Sequence, residues 1–334
     1  MGIKSPARHG GLDGSNVAYA LAIREVASVC ASTAVTMAVT NMVGDMIVRF
    51  GNPEQAQRFL VPLLDGTHTA GAFALSEPAH GSDAGNLQCR AERSDDGAEY
   101  VLNGSKMWIT SGDIAGVVLV MARTDPNAGG RGISAFLVEP DTDGFEVGRH
   151  EKKMGLRGSS TVSLRFENMR VAADQRLGRE GDGFKIAMTA LDSGRCGIGA
   201  QAVGIATGAM NDLLDRLAKR KVDDQALGTD QGVDFRIADM ATRLEAAWLM
   251  IMRASALRDA GKPMTREAAM AKVFATEAGD WVCQRAVALL GVDGLRDDSR
   301  ISRALRDVRV ARIYEGTSEI QRIVIARELF RSMA

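Results

Sequence analysis

The sequence is poor in the residues and motifs that usually advertise a function. Its four cysteines, Cys30, Cys89, Cys196 and Cys283, lie far apart, with no CxxC and no Cys–His pair at ligand spacing. That spacing argues against a zinc site or a disulfide framework, so no metal is expected, and four reduced thiols fit a cytoplasmic protein. Neither sign of charge is in excess: 41 Lys and Arg stand against 42 Asp and Glu. A broad basic surface is thereby excluded and no nucleic-acid partner is expected, although a local basic pocket for one anionic ligand stays open. The opening MGIKSPARHGG lacks the apolar core of a secretory signal. There is no P-loop, HExxH or EF-hand loop, and no GxGxxG follows a strand. Gly81-Ser82-Asp83-Ala84-Gly85 places its serine one position too early for a nucleophile elbow. The four histidines, His9, His68, His80 and His150, are isolated in expected loops and read as solvated residues.

What is present is an ordinary globular composition, 46% hydrophobic and 25% charged over 334 residues. At about 150 residues per domain that suggests two domains or one multi-layer chain. Residues 26–44 carry no charge and approach spanning length. Ser28, Ser32, Thr33, Thr36, Thr40 and Asn41 interrupt them, so a buried small-residue helix is expected and no membrane span. The pattern is helical, then stranded, then helical. Residues 14–64 show apolar runs without strand alternation. In them Gly51-Asn52-Pro53 stops and restarts a helix carrying Phe59, Leu60 and Leu63, which Pro62 and Gly66 should end. Asn103-Gly104, between residues 99–102 and 105–110, predicts a hairpin with a type I′ turn. Strands are expected at 117–122, 133–139, 145–147 and 161–166, and helices at 184–218, 233–260, 266–290, 302–313 and 318–332. Ser318 with Gln321 suggests a capping box, followed by an apolar face of Ile320, Ile323, Val324 and Phe330. The fold class is therefore α+β and multi-domain. A helical region covers residues 1–70, an antiparallel β-barrel or sandwich 71–178, and a C-terminal helical bundle 179–334.

Two segments are unusual. Gly194, Gly197, Gly199, Gly204 and Gly208 share one expected helix, each costing about 1 kcal/mol relative to alanine. Either another helix or a flat ligand could approach so bare a backbone. In Ile313-Tyr314-Glu315-Gly316-Thr317-Ser318, a carboxylate sits in a short break between helices. A glutamate in an apolar break can serve as a general base, though a solvated turn glutamate has the same local sequence.

With these residues on the page, the chain resembles the acyl-CoA dehydrogenase family. Four separated motifs carry the likeness in the family's order: Ser76-Glu77-Pro78 with Gly81-Ser82-Asp83; Lys106-Met107-Trp108-Ile109-Thr110; Leu191-Asp192-Ser193-Gly194-Arg195; and Tyr314-Glu315-Gly316-Thr317-Ser318-Glu319-Ile320-Gln321-Arg322. The resemblance implies a helical domain, a β domain and a four-helix bundle, with FAD as cofactor and a fatty acyl-CoA thioester as substrate. It implies Glu315 as the base for the α-proton, with hydride leaving the β-carbon for flavin N5. Phe73, Leu75, Ser76, Trp108 and Thr110 match positions that hold the flavin ring. Arg220, Gln231, Thr317 and Glu319 match positions around the ribityl, pyrophosphate and adenine. Ser82, Ser159, Asp192, Arg195 and Gly316 match the acyl-CoA side. Each has a plainer reading, such as core packing for Phe73 and Trp108 or a surface ion pair for Arg195. Some branched-chain and long-chain members place the base just before the motif arginine, where this sequence has Gly194. The short- and medium-chain arrangement is therefore the closer likeness, with butyryl-type members nearest.

The family pattern further implies a homo-oligomer, tetramer or dimer, that passes electrons from β-oxidation to an electron-transfer flavoprotein. It breaks at the expected FAD surface. Arg220-Lys221-Val222-Asp223-Asp224 stands where Arg-x-x-Phe-Gly is usual, and Ala288-Leu289-Leu290-Gly291-Val292 where Gln-x-x-Gly-Gly is usual. Residues 1–11 resemble an internal family segment, so the helical domain is expected to be shortened and to expose apolar surface. These breaks leave a second reading: a non-catalytic or half-site subunit in a hetero-oligomer with a related chain. An oxidase using O₂ is a third.

Overall fold

A computed structural model describes residues 1–219, 221–222, 225–226 and 230–333. Helices come first: α1 (Asn16–Val29), α2 (Ala31–Phe50), α3 (Pro53–Gln55) and α4 (Val61–Asp65). The charge-free stretch is thus not one helix, because Cys30 takes an extended conformation between α1 and α2. α2 is long and apolar enough to cross a membrane, and 72% of its apolar window is buried inside the protein. The restart after Gly51 is a complete capping box. Asn52 Oδ1 accepts from Gln55 N at 2.7 Å, and Gln55 Oε1 accepts from Asn52 N at 3.2 Å. Gly66, at φ 88°, ends α4 as expected. Pro62 does not. Ahead of it Ala56–Leu60 form a π-turn, in which Val61 N–H reaches back to Ala56 O and leaves room for a ring with no N–H.

The strands follow: β1 (Ala70–Ala74), β2 (Arg90–Arg93), β3 (Glu99–Thr110), β4 (Ala115–Arg123), β5 (Ile133–Val138), β6 (Phe145–His150), β7 (Thr161–Ala172) and β8 (Arg176–Leu177). They form one sheet in the order β6-β7-β3-β2-β4-β5-β8, with β1 parallel to β4. The expected antiparallel barrel or sandwich is corrected on two points: the sheet is mixed, and among the described residues its ends do not pair to close it. Asn103-Gly104 is not a hairpin turn either. It lies inside β3 as a bulge against β7, where Asn103 Oδ1 accepts from Asn168 N at 2.8 Å. Gly104 has φ 148°, and a Cβ there would come 2.8 Å from Cys89 Cα, just ahead of β2. Asn-Gly supplies positive φ to a bulge as readily as to a turn; the long partner strand decides between them.

Long helices complete the chain: α5 (Gly183–Lys219), α6 (Gln231–Asp259), α7 (Thr265–Leu290), α8 (Val292–Leu295), α9 (Arg300–Val308) and α10 (Ser318–Arg331). Between α5 and α6, β9 (Lys221–Val222) pairs with β10 (Gln225–Ala226). The cap of α10 is Thr317, whose Oγ1 accepts from Ile320 N at 3.3 Å, not Ser318. Its expected apolar face does not form: Val324 is buried, whereas Ile323 and Phe330 are 61% and 74% exposed.

The residues group into two compact units, neither continuous in the chain. The β unit comprises Met1–Gly14, Thr36–Lys152 and Ser159–Ser193; the helical unit comprises Ser15–Val35, Lys153–Gly158 and Gly194–Ala334. The β unit's core lies on the sheet around Tyr100, Leu102, Val120 and Phe136, with the Tyr100 and Phe136 rings edge to face at 5.0 Å. In the helical unit Gly199, Gly204 and Gly208 of α5 face other helices. A Cβ on Gly204 would overlap Arg24 O and lie 2.8 Å from Ala27 Cβ, one on Gly208 would overlap Ser28 O, and one on Gly199 would meet Ile251. At these positions helix-on-helix contact, not a flat ligand, explains the bare backbone. Replacing Gly204 by alanine should therefore lower the thermal midpoint. Overpacking at about 1–3 kcal/mol outweighs about 1 kcal/mol of helix propensity. An unchanged or raised midpoint would show that α1 and α5 separate without cost.

Candidate active site

The break before α10 is built on two consecutive left-handed residues, Glu315 at φ 51° and Gly316 at φ 89°. Glycine takes this conformation freely; for glutamate it costs roughly 1–2 kcal/mol, so the surroundings must impose it. They do so through backbone carbonyls. Gln321 Nε2 donates to Gly316 O at 3.0 Å and to Glu315 O at 3.3 Å, and Lys272 Nζ donates to Gly316 O at 2.7 Å. Both side chains are fully buried. On the other flank Tyr314 donates its hydroxyl to Gln201 Oε1 on α5, and Gln201 Nε2 donates to Ala31 O at 2.9 Å. Burial pushes the Tyr314 phenol well above its ordinary range, with the Glu315 charge acting the same way, so it stays a protonated donor.

The Glu315 carboxylate lies against the backbone of α5. A Cβ on Gly194 would overlap Glu315 Oε2 and come 2.8 Å from its Cδ. Unlike Gly199, Gly204 and Gly208, Gly194 faces a carboxylate instead of another helix. Arg195, next along α5, is buried at 5% exposure. Lys272, Gln321 and Gln201 are site residues that the sequence reading missed. For Lys272 a signal existed: it lies on the stripe Ala268, Ala271, Ala275, Ala278, all buried, where a cation needs a reason.

In the β unit a second buried lysine organises the other motifs. Lys106 Nζ donates to Leu75 O at 3.1 Å and to Glu77 Oε1 at 2.9 Å, while Glu77 accepts from Gln88 N at 2.6 Å and Cys89 N at 2.9 Å. Burial acts to raise the Glu77 carboxyl, but the Lys106 charge and these donors outweigh it and hold it below the usual carboxylate range. Met107 N donates to Ser76 O at 2.9 Å, so the Ser76-Glu77-Pro78 segment is tied to β3. Simple alternation would bury Trp108 on the same face as Lys106. Instead the register with β7 slips between Lys106 and Ile109, Trp108 takes φ 63°, and its ring turns outward, 57% exposed. Thr110 and Ser76 are half-buried, as is Phe73 on β1, and Leu75 is buried. An outward aromatic face with hydroxyls beside it suits a flat heteroaromatic ring. Ser82 is exposed, Ser159 is buried with its hydroxyl 3.3 Å from that of Thr36, and Asp192 is half-buried.

Three family models match in succession: acyl-CoA dehydrogenase N-terminal domain over residues 1–67, middle domain over 72–169 and C-terminal domain over 181–330. The short-chain specific acyl-CoA dehydrogenase of Clostridium acetobutylicum is 41% identical over 332 residues, covering 99% of this chain and 87% of that enzyme. This chain belongs to the acyl-CoA dehydrogenase family. Among solved structures, butyryl-CoA dehydrogenase from Megasphaera elsdenii matches with a TM-score of 0.96 at 40% identity, covering 98% of this chain and 86% of that one. Glutaryl-CoA dehydrogenase from Mycobacterium smegmatis, in complex with FADH2, matches with a TM-score of 0.92 at 29% identity, covering 98% and 83%.

The acyl-CoA dehydrogenase positions expected along the rest of a cofactor fall at the starts of α6 and α10. Gln231 opens α6 and is exposed, Thr317 caps α10, and Glu319 is exposed in its first turn. Arg220, Asp223 and Asp224 lie outside the described residues. Ala288 is exposed at the end of α7, Val292 is 81% exposed, and nothing lies within 4 Å of a Cβ placed on Gly291.

Lys106→Met should destabilise the β unit by about 3–5 kcal/mol at neutral pH, because Glu77 stays buried without its cation. The folded Glu77 pKa is lowered, so its contribution is present above the ordinary carboxylate pKa and lost as pH falls through the lowered value. The difference between wild type and variant in urea unfolding should therefore shrink in acid. A deficit independent of pH down to the lowest value reached would remove the ion pair as its cause.

Proposed function

We propose that this protein catalyses the FAD-dependent α,β-dehydrogenation of a short straight-chain acyl-CoA thioester to the trans-2-enoyl-CoA, with Glu315 as the base for the α-proton. The observation that carries this reading is the Glu315 carboxylate lodged against the side-chain-free Gly194. A thioester α-C–H is far too weak an acid for a carboxylate in water. Proton removal needs a carboxylate fixed in place, little competing water, and donors aimed at the developing enolate oxygen. The clamped turn supports the first requirement, and the Glu315 backbone N–H, held in the same left-handed turn, is the donor this chain offers to the thioester carbonyl. Arg195, Asp192, Ser82, Ser159 and Gly316 are assigned to the acyl-CoA. Phe73, Leu75, Ser76, Trp108 and Thr110 would hold the isoalloxazine, and the outward Trp108 ring beside hydroxyls fits that group. Arg220, Gln231, Thr317 and Glu319 would hold the remainder of the cofactor. FAD, when bound, supplies the acceptor for the hydride that leaves the β-carbon.

The short acyl chain is supported by relatives named for short-chain and butyryl substrates. We assign electron transfer onward to an electron-transfer flavoprotein and a homo-oligomeric assembly, tetramer or dimer. Phe235, Leu249, Ile323 and Phe330 of the helical unit, 59–74% exposed, support association.

Anaerobic mixing of the FAD-loaded protein with acyl-CoAs of graded length should bleach the flavin fastest with the four-carbon thioester. Glu315→Gln should slow bleaching by at least about 100-fold while thioester binding persists. Undiminished bleaching in that variant would remove Glu315 as the base. Gly194→Ala should push the carboxylate aside and cost about 10–100-fold in the same rate, with thermal stability kept. If the alanine variant bleaches at the wild-type rate, the carboxylate does not work from the position beside α5.

A further inference from the structure

Lys272 is the one residue of the helical unit's clamp whose charge has not been given a purpose. Gln321 already donates to Gly316 O at 3.0 Å, so a second neutral donor would satisfy the remaining lone pair of that carbonyl. A lysine there instead brings an ammonium, with no exposed surface, into a wall of alanines. The charges acting on it come from four directions. Glu315 in the turn attracts it most strongly, Arg195 on α5 repels it, and Glu319 on α10 and Glu277 on its own helix attract it more weakly. Glu277 is engaged by Arg322 at 2.7 and 2.9 Å and by Arg312 at 3.8 Å. The Glu315 carboxylate is therefore the counter-charge the ammonium chiefly answers.

We propose that Lys272 is a positioning residue for Glu315: bonded to the Gly316 carbonyl, its ammonium fixes the left-handed turn and keeps the neighbouring carboxylate ionised. The inference rests on the reading of Glu315 as the base. It supplies what that reading needs, because a base must be ionised to take a proton and a nearby ammonium favours the ionised form. Burial pushes the Lys272 ammonium down to about 8, against the pull of Glu315, so it is charged at neutral pH and loses its proton just above. Activity that depends on the ammonium should then fall on an alkaline limb near that value, and the acid limb should report the carboxylate with the ammonium beside it.

The test uses the FAD-loaded wild type, Lys272→Met and Glu315→Gln. Flavin reduction by a saturating short acyl-CoA is followed from pH 5 to 10, with thioester dissociation constants measured separately. Lys272→Met should move the acid limb up by about one pH unit and abolish the alkaline fall, and the thioester Kd should change less than about threefold. A profile lowered evenly at every pH, with both limbs in place, overturns the proposal and leaves Lys272 a packing residue. A second measurement avoids the variant altogether. With lysine Cε labelled, the Lys272 signal, titrating near pH 8 in wild type, should shift to lower pH by about one unit in Glu315→Gln, because coupling between the two groups is reciprocal. No shift overturns the proposal even if Lys272→Met fails to fold. Undiminished flavin reduction in Glu315→Gln overturns the base assignment and this inference with it. Loss of reduction there, together with an unshifted lysine, overturns the inference alone.

Discussion

The turn before α10 holds a glutamate in a backbone conformation it would not choose. Two left-handed residues in a row, the first with a side chain, persist only if the ends of the turn are tied more strongly than the strain pulls. Here the ties are hydrogen bonds to two successive carbonyls, one of them charge-assisted. Their cost falls elsewhere in the unit. Gln321 is drawn away from the capping box its spacing suggests, and Thr317 caps α10 in place of Ser318.

The β unit solves a similar problem with the same device. Lys106 and Lys272 are both fully buried, and each donates to a backbone carbonyl in a functional motif, Leu75 O before Ser76 and Gly316 O after Glu315. Each also has a carboxylate that stabilises it, Glu77 at hydrogen-bond distance and Glu315 through its field. A buried lysine is a poor way to gain stability, since desolvation offsets most of the attraction. It is a good way to fix a carbonyl, because a charge that leaves its site is left with no compensation at all. That asymmetry suits segments whose backbone must not relax.

The long helices were legible because a 3.6-residue period over twenty or more residues leaves few alternatives, and β4, β5, β6 and β7 because the runs there are bounded by turn residues. What misled was chemistry with two structural uses. Asn103-Gly104 provides positive φ, which a bulge needs as much as a turn does. Pro62 usually ends a helix, but the π-turn ahead of it lets it sit at the start of α4. Ser318 and Gln321 have capping-box spacing, yet the amide was committed to the Glu315 turn. Strand β1 went unread because Ala70–Ala74 is small-residue chain that pairs parallel to a distant strand. In the site, Glu315 was visible as a carboxylate in a helix break. Gln201 was not, since its partner is a backbone carbonyl 170 residues away; Lys272 stood out as a cation on an alanine stripe, but its partner, a carbonyl 44 residues away, is encoded in no local pattern.

The glycines of α5 show how one helix can meet two demands with a single residue type. From Gly197 to Gly208 the missing side chains let other residues close on the backbone: Tyr19 and the Arg24 and Ser28 carbonyls of α1, and Ile251 of α6. Packing there recovers what helix propensity gives up. At Gly194 the same absence makes room for a carboxylate arriving from a turn 121 positions later in the chain. The resemblance noted in the sequence includes members that carry their base on this helix, just before the motif arginine. The structure gives that alternative a physical meaning. A side chain grown from position 194 would enter the volume that the Glu315 carboxyl occupies, so the two placements compete for one location and a chain can use only one of them. Gly194 and Glu315 are thus a single choice made in two places, and a glutamate introduced at 194 would have to be accompanied by a smaller residue at 315 to be tolerated.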